Sequence, residues 1–207
     1  MKKYKILAFV VVCMMMVLCM TACGTGKEEN KQNRAESNKD TLVVVFSATG
    51  TTKGVAERIA AITDADLYKI VPAQVYSSED LNYNDPDSRA TKEQNNPSVR
   101  PEIGSKKIDL SGYSRVFIGY PIWFGQEPRI MDTFVETYDF GSITVIPFCT
   151  SGSSGIGQSG KHLKENAGSG NWLEGQRFSG NVSEDELHSL LIDEWTNLPR
   201  YTGQNGC

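Results

Sequence analysis

Leu42-Val43-Val44-Val45-Phe46-Ser47-Ala48-Thr49-Gly50-Thr51-Thr52 joins an uninterrupted apolar run to a loop of small, hydroxylated residues. A run with no polar alternation has the composition of a parallel strand covered on both faces. Directly after the loop, Val55, Ile59 and Ile62 recur at helical spacing while Lys53, Glu57 and Arg58 point elsewhere. The local reading is strand, tight loop, amphipathic helix.

The same unit repeats outward from it. Asp66 to Val71 reads as a second strand, and Arg115 to Tyr120 as a third. The third leads through Pro121-Ile122-Trp123-Phe124-Gly125 into a helix opened by Pro128, with Ile130, Phe134 and Thr137 or Tyr138 inward. Ser142 to Phe148 is the fourth strand, followed by a Gly-rich loop and a short helix from Ser159 to Asn166. Gly175 to Ser179 is the expected fifth strand. A last helix opens on the capping box Ser183-x-x-Glu186 and stripes Leu187, Leu190, Leu191 and Trp195. Between the second and third strands lies a long polar stretch to Gly112, with a partial helix expected at Ser88 to Gln94. Strands alternating with helices predict an α/β three-layer sandwich: a five-stranded parallel sheet with helices on both faces.

At 207 residues there is room for one ordinary domain. A net charge of -4 offers no basic surface, so nucleic acid is excluded as a partner. Lys2, Lys3 and Lys5 precede an apolar run from Ile6 to Met20, too short for a comfortable membrane span. The run ends Met20-Thr21-Ala22-Cys23-Gly24, similar to a bacterial lipoprotein cleavage box in which Cys23 is lipidated; a plain secretory signal or an uncleaved anchor is the alternative. The expected organisation is a signal peptide over 1–22, a lipidated Cys and solvated tether over 23–40, a folded domain over 41–198 and a tail over 199–207. Cys149 and Cys207 then remain, with Cys149 read as a small hydrophobe at an apolar strand end rather than half of a bridge.

Three loops follow strand carboxyl ends, the edge where such sheets bind ligands. In the first, Ser47, Thr49, Gly50, Thr51 and Thr52 combine hydroxyls with the N-H groups left unpaired in a helix's first turn, a donor set for a phosphomonoester; an ordinary helix cap has the same composition. In the second, Pro121, Ile122, Trp123, Phe124 and Gly125 place adjacent aromatics where loops are usually polar, to cover a flat ligand or to cap the sheet. The third, with Thr150, Ser151, Gly152, Ser153 and Gly155, offers donors with almost no bulk, or a flexible connection.

Together, Gly-Tyr-Pro-Ile-Trp-Phe-Gly, Ile-Pro-Phe-Cys-Thr and the first loop resemble the flavodoxin-like family from Thr41 to about Trp195. The resemblance implies FMN as cofactor. Its phosphate would lie on Ser47, Thr49, Gly50, Thr51 and Thr52, one ring wall on Pro121 to Gly125, and the pyrimidine side on Thr150 to Gly155. Two departures stand out: Ala48, where a longer polar residue is common, and the polar stretch with Pro86.

No catalytic side chain is singled out, because Cys149 has no basic neighbour in sequence. His162 and His188 have no second ligand at metal spacing, and Asp132, Glu136 and Asp139 read as a solvated helix face. The expected function is FMN-dependent electron transfer on the outer face of the cell membrane, to a redox partner protein or a small quinone- or nitro-type acceptor. The alternative is a non-catalytic extracytoplasmic module that binds flavin or another ligand.

Overall fold

The structure is a computed structural model that describes residues 40–191, all within the second of the chain's two units, Asn38–Cys207. Its elements are β1 (Thr41–Phe46), α1 (Thr51–Ile62), β2 (Asp66–Ile70), α2 (Arg89–Gln94), β3 (Arg115–Pro121), α3 (Arg129–Thr137), β4 (Thr144–Thr150), α4 (Ser159–Ala167), β5 (Asn171–Trp172), β6 (Gln176–Phe178) and α5 (Glu184–Leu190). The strands form one sheet in the order β2-β1-β3-β4-β5, with β6 also on β4, and every pairing is parallel.

Every residue of β1 is buried, as its unbroken apolar run requires. Leu42, Val44 and Phe46 pack on one face with Ile130 and Phe134 of α3 and Leu163 of α4. Val43 and Val45 face the other way, toward Val55 and Ile59 of α1 and Leu187 of α5. Period-two alternation thus sends successive side chains into two separate cores, and the three-layer sandwich follows.

The expected fifth strand is divided. Asn171 and Trp172 pair with Thr144 and Val145, and Gln176 to Phe178 pair with Phe148 to Thr150. Pro147 lies at the gap and has no N-H to offer a neighbour. Six strands therefore replace the five expected.

One expectation about α3 is corrected. Asp132 is not on a solvated face: it is 1% exposed, accepts from Asn166 Nδ2 at 3.0 Å and lies 3.5 Å from Arg129 Nη1. Of the two expected inward residues, Tyr138 packs on the core, 4.8 Å from the Phe134 ring, and Thr137 is exposed, while Met131 and Val135 join Ile130 and Phe134 in full burial because the helix is covered on more than one stripe. Glu136 does remain near solvent, paired with Arg100 at 2.7 Å, and Asp139 lies beyond the helix end. The Ser183 cap is present, its Oγ accepting from Glu186 N at 3.2 Å. Trp195 and Cys207 lie outside the described residues, as do the signal segment and Cys23.

The polar stretch between β2 and β3 is folded onto the core. Tyr76 and Leu110 are buried in it, and α2 starts on a Ser88 cap whose Oγ accepts from Thr91 N at 3.3 Å.

Candidate functional site

The sheet order reverses beside β1, where β2 lies on one side and β3 on the other. Chains leave these strands in opposite directions there, opening a crevice at the carboxyl ends. A cleft of about 730 Å³ occupies that edge.

Its first wall is the loop after β1. Gly50, with φ 92°, is the N-cap of α1, and its N-H donates to Ser47 Oγ at 3.1 Å. The positive φ is why a glycine stands here. No acidic residue occupies the first turn of α1, so its N-H groups face the cleft end without a competing carboxylate. Thr49 and Thr51 hydroxyls are 3.5 Å apart, and buried Thr52 is tied through its hydroxyl to Thr150 at 2.8 Å, which locks the first loop to the third. Ser47, Ala48, Thr49, Thr51 and Thr52 line the cleft.

The second wall turns on two residues of positive φ, Phe124 (50°) and Gly125 (79°). Trp123 and Gln126 exchange backbone hydrogen bonds of 2.9 and 3.0 Å across them, as in a type I′ turn. Such a turn separates the two aromatics. Trp123 is half-buried, edge-on to Phe46 (5.5 Å) and Tyr76 (5.2 Å), whereas Phe124 is 51% exposed at the mouth. Both line the cleft with Pro121 and Ile122.

From the third loop, Thr150, Ser151 and Gly152 line the cleft, while Ser153 and Gly155 are exposed beyond its lining. Arg177 of β6 holds this loop, its Nη2 donating to Ser151 O at 2.8 Å and Gly152 O at 2.9 Å, and its Nε to Ser151 Oγ at 3.3 Å. Ser151 Oγ in turn donates to Ser154 O.

Sequence reasoning missed two contributors. Leu81, Tyr83 and Ala90 reach the cleft from the polar stretch, and Ser179, Gly180 and Asn181 from the turn after β6. A signal existed for the second, since Ser-Gly-Asn after a strand repeats the small, polar composition of the first loop. A Cβ on Gly180 would stand 2.4 Å from Thr51 Cγ2, so only glycine lets that turn approach the first loop. Arg58 of α1 fixes it by donating to Gly180 O at 3.1 Å. Nothing in the polar stretch announced its contacts, which depend on how it folds back.

Among the described residues no charged side chain lines the cleft. Charge collects instead behind the second wall. Glu127 is 0% exposed, with Arg129 Nη1 at 3.8 Å and His162 Nδ1 at 3.6 Å, and burial pushes its carboxyl up to about 7. Gln94 Nε2 braces the same wall, donating to Trp123 O at 2.9 Å and Glu127 O at 3.0 Å. Cys149 is a free, fully buried thiol whose burial pushes it up to about 12, leaving it protonated and unreactive. Among the described residues no group of three or more His, Cys, Asp or Glu is arranged to hold a metal ion.

The comparisons agree with this architecture. Two solved structures of proteins assigned as flavoproteins are similar to the chain. One, from Bacteroides eggerthii DSM 20697, is 45% identical over 74% of this chain and 96% of its own, with a TM-score of 0.69. The other, from Bacteroides uniformis ATCC 8492, is 40% identical over 74% of this chain and 97% of its own, with a TM-score of 0.71. A flavoprotein from Lactobacillus acidophilus NCFM, solved in complex with FMN, is 25% identical over 76% of this chain and 98% of its own, with a TM-score of 0.58. A search of curated proteins found no match. The flavodoxin family model matches residues 40–195, and the chain belongs to the flavodoxin family.

Proposed function

We propose that the cleft binds FMN and that the protein is a redox flavoprotein. The carrying observation is the donor set: one uncharged cleft joins a hydroxyl-lined helix N-terminus, with Gly50 at φ 92°, to an apolar end walled by Ile122, Trp123 and Leu81. The first end suits a dianionic phosphate, held by N-H groups and hydroxyls without Lys or Arg. The second suits a flat heteroaromatic ring, and the third loop supplies N-H donors for its polar edge. Ser47, Thr49, Gly50, Thr51 and Thr52 would hold the phosphate, Pro121 to Gly125 one face of the ring, and Thr150 to Gly155 its pyrimidine side. The FMN complex of the Lactobacillus relative supports the same occupant.

FMN, when bound, supplies the electron-accepting chemistry, and the chain orients it and sets the surrounding field. The protein carries electrons to a partner protein or a small quinone- or nitro-type acceptor that reaches the ring past Phe124 and Tyr83. Tyr83, 73% exposed, stands with Phe124 in a mouth that favours flat, uncharged acceptors. In the same reading a lipid on Cys23 holds the domain on the outer face of the membrane, which raises its concentration near membrane redox partners.

The test is a visible spectrum of the chain after incubation with FMN and desalting, followed by anaerobic reduction. Retained bands that bleach reversibly support the reading. A folded, colourless protein overturns it and leaves a module for another ligand. Membrane fractionation of the expressed chain checks the anchor, with Cys23→Ala expected to release it from the membrane.

A further inference from the structure

Arg177 is the part-buried cation held against the cleft's third wall. Its partners are two backbone carbonyls and one hydroxyl of a single loop, and among the described residues no carboxylate pairs with it. A guanidinium normally recruits a carboxylate when it leaves water. Here its partners in the chain are dipoles, so no carboxylate among the described residues cancels its positive charge.

The direction of those dipoles matters. In a trans peptide the carbonyl and the following N-H point opposite ways. Tying the carbonyls of Ser151 and Gly152 to Arg177 turns the following N-H groups away from it, and of these Gly152, which lines the cleft, can offer its own to a ligand. A fixed cation behind an outward N-H group forms a wall that favours negative charge. Among the described residues no carboxylate lines the cleft to oppose it.

We propose that Arg177 is a positioning residue that favours the reduced, anionic form of the bound ring through its charge, while its hold on Ser151 and Gly152 sets the loop for the ring in either form. The proposal rests on FMN occupying the cleft. Two electrons from the redox partner and one proton from water leave the reduced ring with one more negative charge than the oxidised ring. Arg177 offsets that charge and raises the midpoint potential above the value the same site would have without it.

The experiment uses the full chain loaded with FMN, comparing wild type with Arg177→Met, Arg177→Gln and Arg177→Lys. Each is titrated by FMN fluorescence quenching and then by mediated electrochemistry at one pH. Met and Gln remove the charge, and each is expected to weaken the hold on reduced relative to oxidised FMN at least tenfold, a potential lower by about 30 mV for a two-electron couple. Lys keeps the charge but cannot bridge both carbonyls, so it is expected to bind oxidised FMN more weakly while changing the ratio of reduced to oxidised affinity by less than twofold, a potential shift under about 9 mV. If the Met variant lacks a cooperative melt, the Gln variant decides. Met or Gln variants that retain FMN at the wild-type potential overturn the proposal, and so does a Lys variant that falls as far as they do. A wild-type chain that does not quench FMN at all overturns the flavin reading first, before any potential is measured.

Discussion

Gly180 illustrates how one absent methyl shapes the cleft. A Cβ there would meet Thr51 Cγ2 at 2.4 Å, and relief by rotating Thr51 would swing its hydroxyl away from the phosphate end. Gly180→Ala is therefore expected to weaken FMN binding about tenfold, or about 1.4 kcal/mol, read by fluorescence titration. Glu127 acts through charge instead. Its carboxyl ionises near 4.5 when unfolded and at about 7 when folded, burial being the main cause. Between those values the folded chain keeps a proton that the unfolded chain has lost, so stability falls as pH rises from about 4.5 to about 7 and stays low above. Glu127→Gln is expected to flatten this slope and to stabilise the fold at pH 8 by on the order of 3 kcal/mol, measured by urea unfolding at several pH values. A variant with an unchanged slope would show that the carboxylate is better compensated than its 3.8 Å approach to Arg129 suggests.

At the scale of elements, the polar stretch between β2 and β3 is the least expected part of the molecule. Its anchor is Tyr76, buried against Phe46 and Trp123, with its hydroxyl donating to Glu93 Oε2 at 2.5 Å and Arg89 4.1 Å above its ring. Burial and the Glu93 carboxylate both push that phenol above its ordinary range, so it stays a donor. Gln94 then carries the connection from α2 to the loop bearing Trp123. Tyr76→Ala removes both the packing and the hydrogen bond. It should cost about 3 kcal/mol in chemical denaturation and also weaken FMN binding, because the second wall loses its brace. Tyr76→Phe, which keeps the ring, separates the two effects: stability drops by about 1 kcal/mol while FMN affinity stays near wild type.

For the whole molecule, the cleft draws its walls from the carboxyl ends of β1, β3, β4 and β6, so ligand and fold are thermodynamically linked. FMN at about a hundred times its dissociation constant should add about 2.7 kcal/mol. For a domain of this size that raises Tm by roughly 5–10 °C in a thermal melt with and without FMN. No rise would mean that FMN does not select the native state.

The layered fold was legible because its signals are local. The unbroken run from Leu42 to Phe46 and the helical spacing of Val55 and Ile59 need nothing distant to be read, and both fall in the two cores where their periodicity directs them. The tight loop after β1 was equally legible from its small, hydroxylated residues, whereas the positive φ of Gly50 is seen only in the structure. Other features depend on neighbours far away in sequence. Pro147 is an ordinary residue until its missing N-H divides the adjoining strand. Asp132 reads as solvent-facing until Asn166 and Arg129 close over it. Trp123 and Phe124 are adjacent aromatics until a turn sends one inward and one to the mouth. Backbone periodicity and turn chemistry are properties of short segments, so the sequence alone determined the layers and the edge that bears the cleft. Burial, charge compensation and close approach arise only between segments brought together by folding, and the tertiary structure decided those.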